Sequence, residues 1–268
     1  MSAVALEAAP PGLADAATAN SPASDTPGRT WQPLVRDRAF DLQLRFNLFP
    51  ATYAHASWIA RMGRHLPLAE GLDDSPFWVR RLSLALLQAC ELDQDFDFDF
   101  SDRTKNTALL DAAVLERCAR LMAGLLVREQ IRHVVRGADM AAIECALGRE
   151  ALRFALAWTA PLPVLGYVFH PHGGVFPDDE GWTRRAVGLA SALMGVAPRA
   201  TLARMQLRFP CDWGNLERPV LQEQDRSRLA ALFVAVLNKA APEHAWLLAQ
   251  PAPERAAATT GRTAQLCY

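Results

Sequence analysis

Three observations predict a mainly α-helical fold in one compact, multi-helix domain. Apolar residues recur at helical spacing in at least six segments, and most of these segments open with proline or with an acidic or hydroxyl side chain. Strict alternation of apolar and polar residues, which is typical of strands, is limited to a few short stretches. With 268 residues, of which 51% are hydrophobic, the chain is long enough to bury a substantial core.

Composition divides the chain into three parts. Residues 1–35 are rich in Ala, Pro and Ser, so they bury too little apolar area to offset the entropy of ordering and are predicted to be a disordered tail. Residues 36–249 are predicted to be one helical domain, because no Gly- or Ser-rich linker divides them. Residues 250–268 are predicted to be a flexible tail, since prolines and Ala/Thr runs replace the periodic apolar pattern.

The predicted helices share start signals. Proline is favoured in the first turn of a helix, and Ser or Asp can accept hydrogen bonds from the free amides there. Glycine is a common helix stop and ends the longest predicted helix. In chain order the helices are 77–92 after Ser75-Pro76, 107–136 before Gly137, 139–158 capped by Asp139, 179–195 after Asp178-Asp179, one opened by Pro219 with its apolar run at 229–237, and a short one opened by Pro242.

A repeated tetrapeptide is the main strand signal. Residues 43–46 read QLRF, the same four letters return at 206–209, and each copy lies in an alternating stretch. A match of four residues can also arise by chance. If it is meaningful, residues 42–46 and 205–209 form a small two-stranded β ribbon that ties the beginning of the domain to its later half.

Charge and cysteine content narrow the class of protein. With 28 basic and 29 acidic residues the net charge is −1, which gives no general attraction to nucleic acid. Residues 154–177 carry no charged side chain, but their prolines and glycines would break a membrane-spanning helix, so membrane insertion is not expected. Five scattered cysteines without a CxxC pair favour a reducing cytoplasm.

The sequence predicts no catalytic, cofactor or metal site. It lacks the phosphate-binding loop GxxxxGK(S/T), the dinucleotide fingerprint GxGxxG after a strand, and the hydrolase motifs GxSxG and HExxH. His170 and His172 could bind a metal together with Asp178, Asp179 or Glu180. Two histidines around a proline in a Pro/Gly loop more often line a turn, and that interpretation is favoured.

An acidic and aromatic segment is the first candidate binding site, and we call residues 91–102 the acidic connector. Its candidate residues are Asp93, Asp95, Phe96, Asp97, Phe98 and Asp99. A calcium loop is not predicted, because phenylalanine stands where such a loop needs glycine and the final glutamate is missing. Two interpretations stay open. The phenylalanines pin a loop to the helices while the aspartates stay solvated, or the segment docks on a basic partner with aromatic anchors and acids that steer association.

A row of arginines is the second candidate. Arg128, Arg132 and Arg136 are four residues apart and would share one face of the predicted helix 107–136. Such a stripe is usually a solvated helix face, and Glu129 partly offsets its charge, but it could also receive an acidic partner. Nucleic acid is a poor candidate, because no aromatic residues are interleaved with the arginines for base stacking.

Several segments, taken together, carry a resemblance to a known family. They are LQLRF at 42–46, PATYAH at 50–55, LLQAC at 86–90, LLVREQIRHVV at 125–135, GLASAL at 188–193 and MQLRFP at 205–210. In this order they resemble the SctK family, the cytoplasmic sorting-platform proteins of bacterial type III secretion systems, of which YscK and PscK are members. The resemblance covers about residues 40–240.

The resemblance implies a non-enzymatic, mainly helical adaptor at the cytoplasmic face of the bacterial inner membrane. Family members link the cytoplasmic domain of the inner-ring protein SctD to the pod protein SctQ, and so to SctL and the ATPase SctN. The N-terminal tail, the loop 159–177 and the tail after Gln250 look longer than in family members, so the resemblance assigns no role to these three segments.

Two other classes of protein remain open. A secreted type III effector or a chaperone-associated protein would use an N-terminal export signal, and the Ser/Thr/Ala/Pro-rich composition of residues 1–30 suits one. A helical enzyme with a cryptic site would place His170, His172 and Asp178 in one pocket.

Overall fold

The computed structural model describes residues 38–63, 75–167, 169 and 177–248. The predicted tails, 1–35 and 250–268, lie outside these residues. The described residues form ten α-helices: α1 Arg38–Leu48, α2 Ala56–Gly63, α3 Pro76–Ala89, α4 Ala112–Leu126, α5 Arg128–Arg132, α6 Gly137–Leu147, α7 Arg149–Ala157, α8 Asp179–Ala192, α9 Arg199–Gln206 and α10 Glu223–Ala240. Short 3₁₀ helices cover Pro50–Thr52, Arg103–Leu109, Cys211–Trp213 and Pro242–Leu247. The prediction of a mainly helical fold is confirmed.

Helix α4 lies at the centre of the core and packs against α7, α8 and α10. Its side chains Leu115, Cys118, Leu121 and Met122 are at most 1% exposed. Small residues let its neighbours come close. A Cβ atom added at Gly124 would lie 3.3 Å from the carbonyl oxygen of Ala151 in α7.

Local start signals locate two helices correctly. Helix α3 begins at Pro76, directly after Ser75, and α8 begins after Asp178, whose carboxylate accepts a hydrogen bond from the amide of Gly181 at 2.9 Å. A helix is predicted to open at Pro219, but three further residues precede the helix, and α10 begins only at Glu223. Pro242 opens a 3₁₀ helix of six residues.

The predicted continuous helix 107–136 is wrong. The chain forms a 3₁₀ helix up to Leu109, passes through an extended Leu110, and then forms α4 and the short α5. Val127 separates α4 from α5, with φ −98° and ψ 7°, and is itself fully buried. The predicted helix 139–158 is also divided, because Gly148 has φ +79° and separates α6 from α7.

The predicted β ribbon is wrong as well. Residues 42–46 lie inside α1, while residues 205–209 form the end of α9 and the turn after it. The two segments are nevertheless neighbours. The guanidinium of Arg208 lies 5.7 Å from the ring centroid of Phe46, and the amide of His55 donates to the carbonyl of Leu207 at 2.7 Å. Side-chain packing between helical elements therefore makes the connection that strand pairing was expected to make.

Candidate protein-binding site

The acidic connector begins at a sharp turn that ends α3. The amide of Glu91 donates to the carbonyl of Gln88 at 3.1 Å, and the amide of Leu92 donates to the carbonyl of Leu87 at 2.7 Å. This is the Schellman pattern of a helix C-terminus, and Glu91 takes the left-handed position, with φ 56°, that glycine usually occupies. Leu87 and Leu92 pack together in a small buried cluster, so the direction in which the connector leaves α3 is fixed.

Asp97 anchors the middle of the acidic connector in the protein interior. Its side chain is only 8% exposed and forms an ion pair with Lys105 at 2.8 Å. The hydroxyl of Thr201 in α9 donates to the same carboxylate. Asn47 in α1 bonds the Asp97 backbone twice, because its amide nitrogen donates to the carbonyl at 2.7 Å and its oxygen accepts from the amide at 3.0 Å.

Two buried cations, Lys105 and Arg204, bind the acidic connector from the protein interior. The Lys105 amine donates to the carbonyl of Asp99 as well as to Asp97, and lies 5.2 Å from the ring centroid of Phe100. Arg204 is completely buried and donates to the carbonyls of Leu92 at 2.9 Å and Asn47 at 3.3 Å. Burial lowers the pKa of the Arg204 guanidinium, with nearby acids opposing the shift. These contacts hold the segment rigidly although it contains no regular helix or strand.

The outward side of the acidic connector presents two aromatic rings among carboxylates. Phe96 is 42% and Phe98 is 44% exposed, and the side chains of Asp95 and Asp99 are also exposed. Asp93 is partly buried. A hydrogen bond from the Ser101 hydroxyl, at 2.6 Å, holds the pKa of Asp99 below its usual value.

Burial in the acidic connector follows a spacing of three, not the alternation of its sequence. Asp97 and Phe100 point inward, while Phe98 and Asp99 between them point outward. Phe100 alone of the three phenylalanines is buried, and it packs edge-on against Phe46 with ring centroids 6.0 Å apart. Asp97 is therefore unavailable to a partner, whereas the exposed Phe96 and Phe98 are available.

The arginine stripe is not a helical face in the structure. Arg128 and Arg132 lie in α5, but α5 ends at Arg132, and Arg136 is the residue that precedes α6. Arg132 forms an ion pair with Glu129 at 3.1 Å, and Arg128 is partly buried. Arg136 is exposed. The expectation of one continuous basic stripe is thus wrong, because the helix that would carry it is interrupted.

A polar cavity of about 400 Å³ lies between α4 and the start of α7. Its cations are already paired, since Arg117 binds Glu150 at 2.6 Å and Arg120 binds both Asp179 and the carbonyl of Leu147. These ion pairs join three helices of the core. The cavity therefore has no unpaired guanidinium among these two with which to hold an anion.

The acids proposed for a metal site have structural roles. Asp178 caps α8, Asp179 pairs with Arg120, and Glu180 accepts a hydrogen bond from the indole of Trp213 at 2.8 Å. His170 and His172 lie outside the described residues. Within the part of the chain that the structure describes, no three His, Cys, Asp or Glu side chains are grouped so as to hold a metal ion.

Sequence reasoning missed the residues that position the acidic connector. Asn47, Lys105, Thr201 and Arg204 come from three separate elements, with the last two both in α9, and all four residues are buried. A hint existed for one of them, because Lys105 lies close in sequence to the acids of the acidic connector. Nothing in the spacing of the other three relates them to the acidic connector.

Comparison with known proteins assigns the family. The model of the family described as "YOP proteins translocation protein K (YscK)" matches residues 40–249, which is most of the chain. No curated protein sequence and no solved structure matches the chain significantly. Among the helices of the described residues, none is both long and apolar enough to cross a membrane. The extent of the family match shows that this chain belongs to the YscK family of type III secretion proteins.

Proposed function

We propose that the chain is a non-enzymatic adaptor of the type III secretion sorting platform. In this role it links the cytoplasmic domain of an SctD-like inner-ring protein to an SctQ-like pod protein, and so indirectly to SctL and the ATPase SctN. It acts in the cytoplasm, at the inner face of the inner membrane. The observation that carries the proposal is the family match over residues 40–249.

The acidic connector is the proposed docking site for one of these partners. Exposed aromatic rings are frequent energetic anchors of protein interfaces, and Phe96 and Phe98 lie exposed two residues apart. The carboxylates of Asp93, Asp95 and Asp99 surround the rings and would steer a basic surface toward them. An arginine of the partner could also stack on the ring of Phe98, whereas the guanidinium of Arg204 already lies 5.3 Å from the ring centroid of Phe96.

Rigidity favours this surface over an ordinary loop. Association usually costs free energy because exposed loops lose freedom when a partner orders them. Here Asp97, Asn47 and Lys105 already fix the backbone between the two rings. The surface is therefore arranged before a partner arrives, and little ordering remains to be done on binding.

The exposed arginines remain a second, separate prediction. Arg136 and Arg132 lie near one another in sequence around the break between α5 and α6, and could receive an acidic segment. Arg128 is the weakest of the three candidates, because it is partly buried and its Nε lies in the interior. The pair Arg132 and Arg136 is the part of this prediction worth testing.

Affinity capture from the native host tests the adaptor role. The tagged chain is captured after gentle lysis, and its partners are identified in the membrane-associated fraction by mass spectrometry. We expect both the pod protein and the inner-ring protein to be recovered. Isolation of the chain alone, or its release into the culture medium, would favour the secreted effector instead.

A charge-reversal pair tests the docking site. Asp93→Lys with Asp95→Lys should remove one of the two partners from the captured set. Asp95 is exposed and Asp93 is partly exposed, and neither forms an ion pair within the described residues. Asp212→Lys with Glu217→Lys is the matched control, since it makes the same change in net charge at exposed positions elsewhere. Equal recovery of both partners by the two variants would remove the acidic connector from the proposal.

A further inference from the structure

Helix α3 carries an exposed apolar and basic face that the sequence analysis did not single out. Phe77 is 59% and Leu84 is 52% exposed, and seven residues bring the two side chains to the same side of a helix. Arg80 and Arg81 lie between them and are exposed, and Gln88 continues the row one turn further. We call these five residues the α3 face.

The opposite side of α3 is firmly seated in the protein. Ser83, Leu86 and Leu87 are buried, and the Ser83 hydroxyl accepts a hydrogen bond from the amide of Ala51 at 3.1 Å. Leu87 also packs on Leu92 of the acidic connector. The helix cannot rotate to hide Phe77 and Leu84 without exposing these contacts, so the α3 face is a fixed feature of the surface.

The charged side chains of the described helices α2 and α3 are all basic, namely Arg61, Arg80 and Arg81. Several other exposed arginines pair with carboxylates, as Arg117 does with Glu150. Within the described residues, no carboxylate lies within ion-pair distance of Arg80 or Arg81. Arg81 instead lies over the ring of Phe77, 5.7 Å from its centroid.

We propose that the α3 face binds an acidic, amphipathic segment of a protein partner. Apolar side chains of that segment would cover Phe77 and Leu84, and its carboxylates would pair with Arg80 and Arg81. Arginine and aromatic residues are enriched at the energetic centres of protein interfaces, and a guanidinium can bind a carboxylate through two parallel hydrogen bonds. This inference rests on the proposed function, because the partner is one of the two proteins that the adaptor would link.

An anionic membrane surface is a poorer occupant. Each basic residue near such a surface adds only a modest attraction, and stable attachment takes several of them or a deeply inserted apolar face. The α3 face offers only two apolar side chains, and each is already about half covered. A carboxylate-bearing protein segment uses the same two arginines more effectively, since it can form directed ion pairs.

The α3 face and the acidic connector are opposite in charge. The α3 face is basic and apolar, and the acidic connector is acidic and aromatic. A surface that attracts a basic partner repels an acidic one, so the two would select different proteins. An adaptor that links two proteins needs two such distinct surfaces.

Binding of the full chain to the two purified partners tests the inference. The probes are the cytoplasmic domain of the inner-ring protein and the pod protein from the same host, with Kd measured at low and high salt. We expect Arg80→Glu with Arg81→Glu to weaken one of the two by at least about tenfold, and Phe77→Ala with Leu84→Ala to weaken the same one comparably. The wild-type affinity for that partner should fall with salt, because ion pairs contribute to it.

Matched variants keep the result interpretable. Arg45→Glu with Arg153→Glu makes the same charge change at exposed positions on α1 and α7, and should leave both Kd values unchanged. Both arginines are exposed, so Arg80→Glu with Arg81→Glu should keep the wild-type urea midpoint. Phe77→Ala with Leu84→Ala also removes the covered part of each side chain, so its urea midpoint should fall slightly and its Kd is measured well below that midpoint. A tenfold loss at an unchanged urea midpoint therefore reports binding and not folding.

Three results would overturn the inference. If the wild-type chain binds both proteins and the α3 variants bind them with Kd values within twofold of wild type, the inference fails and the adaptor role survives. If the wild-type chain binds neither protein, the proposed function fails and the inference fails with it. If the α3 variants lose only their sedimentation with phosphatidylcholine–phosphatidylserine vesicles, the occupant is a lipid surface and not a protein.

Discussion

Asp97 stabilises the acidic connector through contacts with three separate elements. Its carboxylate pairs with Lys105 and accepts a hydrogen bond from Thr201, and its backbone bonds to Asn47. Burying a carboxylate costs free energy unless it is paired and hydrogen-bonded, and here both conditions are met. The sequence gives this aspartate no distinction from its neighbours, because its role depends on residues that are 50 and 104 positions away.

Removing one member of the buried ion pair should destabilise the protein. Asp97→Ala leaves the Lys105 amine buried without its carboxylate, so we expect the free energy of unfolding to fall by about 3–5 kcal/mol in urea denaturation. Asp95→Ala is the control and should change it by less than about 0.5 kcal/mol, because Asp95 is exposed. Equal stability of the two variants would contradict the structural role of Asp97.

Two glycines give a paired test of helix packing. A methyl group at Gly188 in α8 would collide with the backbone carbonyl of Glu217, whereas one at Gly137 would meet no atom within 4 Å. Gly188→Ala should therefore lower the free energy of unfolding by about 1–3 kcal/mol. Gly137→Ala should raise it by about 0.4–1 kcal/mol, because alanine restricts the unfolded chain. Thermal or urea unfolding measures both, and the same sign for the two variants would be inconsistent with this packing.

Cys118 should be unreactive in the native protein. It lies fully buried in α4, and burial raises the pKa of its thiol to about 12. A raised pKa lowers the fraction of reactive thiolate, so at pH 8 a pulse of iodoacetamide should label the exposed Cys145 and spare Cys118, as read by peptide mass spectrometry. In guanidinium chloride both should be labelled. Rapid native labelling of Cys118 would show that α4 is not buried as described.

The same shift in pKa makes stability depend on pH in a defined direction. The thiol of an unfolded chain ionises near pH 8.5, whereas burial raises the pKa of folded Cys118 to about 12. The stability that the protonated Cys118 thiol contributes is fully present below the pKa of the unfolded chain, and it is lost as pH rises toward about 12. Alkaline destabilisation by this route should be absent in Cys118→Ala, when the two urea midpoints are compared at pH 7 and pH 10.

At the scale of elements, the sequence predicts where helices begin better than where they break. Proline at 76 and aspartate at 178 act on their own helix, so α3 and α8 begin as expected. The break at Val127 has no local signal, because its side chain is apolar and fits the helical pattern on both sides. The supposed ribbon failed for a related reason, since Leu42 and Phe46 are four residues apart and can therefore also share one face of a helix, here α1.

The sequence likewise predicts only part of the acidic connector, because some of its features depend on distant residues. Its acidic and aromatic character is visible in the sequence, and its outward rings could be proposed as a binding surface. Which rings point outward could not be predicted, because burial follows the positions of Asn47, Lys105 and Arg204 and not the alternation of Asp and Phe. The α3 face was missed since Phe77 and Leu84 also fit a buried helical pattern.

Hydrogen exchange tests whether the acidic connector is rigid. The amide of Asp97 donates to the buried side chain of Asn47 at 3.0 Å, so it should exchange slowly although it belongs to no helix. Asn47→Ala removes the acceptor and should bring this amide close to the exchange rate of an unstructured peptide, while amides in the centre of α10 keep their protection. Equally fast exchange at Asp97 in the wild type would mean that the segment is mobile.

At the scale of the whole molecule, one helical domain carries two surfaces of opposite charge, the acidic connector and the α3 face. The acidic connector continues directly from the end of α3, and both are fixed by the cluster of Leu87 and Leu92. The net charge of −1 hides this separation, because basic and acidic residues cancel in the sum. A protein that holds two different partners in a defined relation needs surfaces on a rigid support, and the helical core supplies one.

The most direct measurement is a bridging experiment with purified proteins. The cytoplasmic domain of the inner-ring protein is immobilised, and the pod protein is added with or without the full chain. We predict that the pod protein is retained only when the chain is present, and that Asp93→Lys with Asp95→Lys and Arg80→Glu with Arg81→Glu each abolish retention by releasing a different partner. Retention that is equal with and without the chain would contradict the adaptor role.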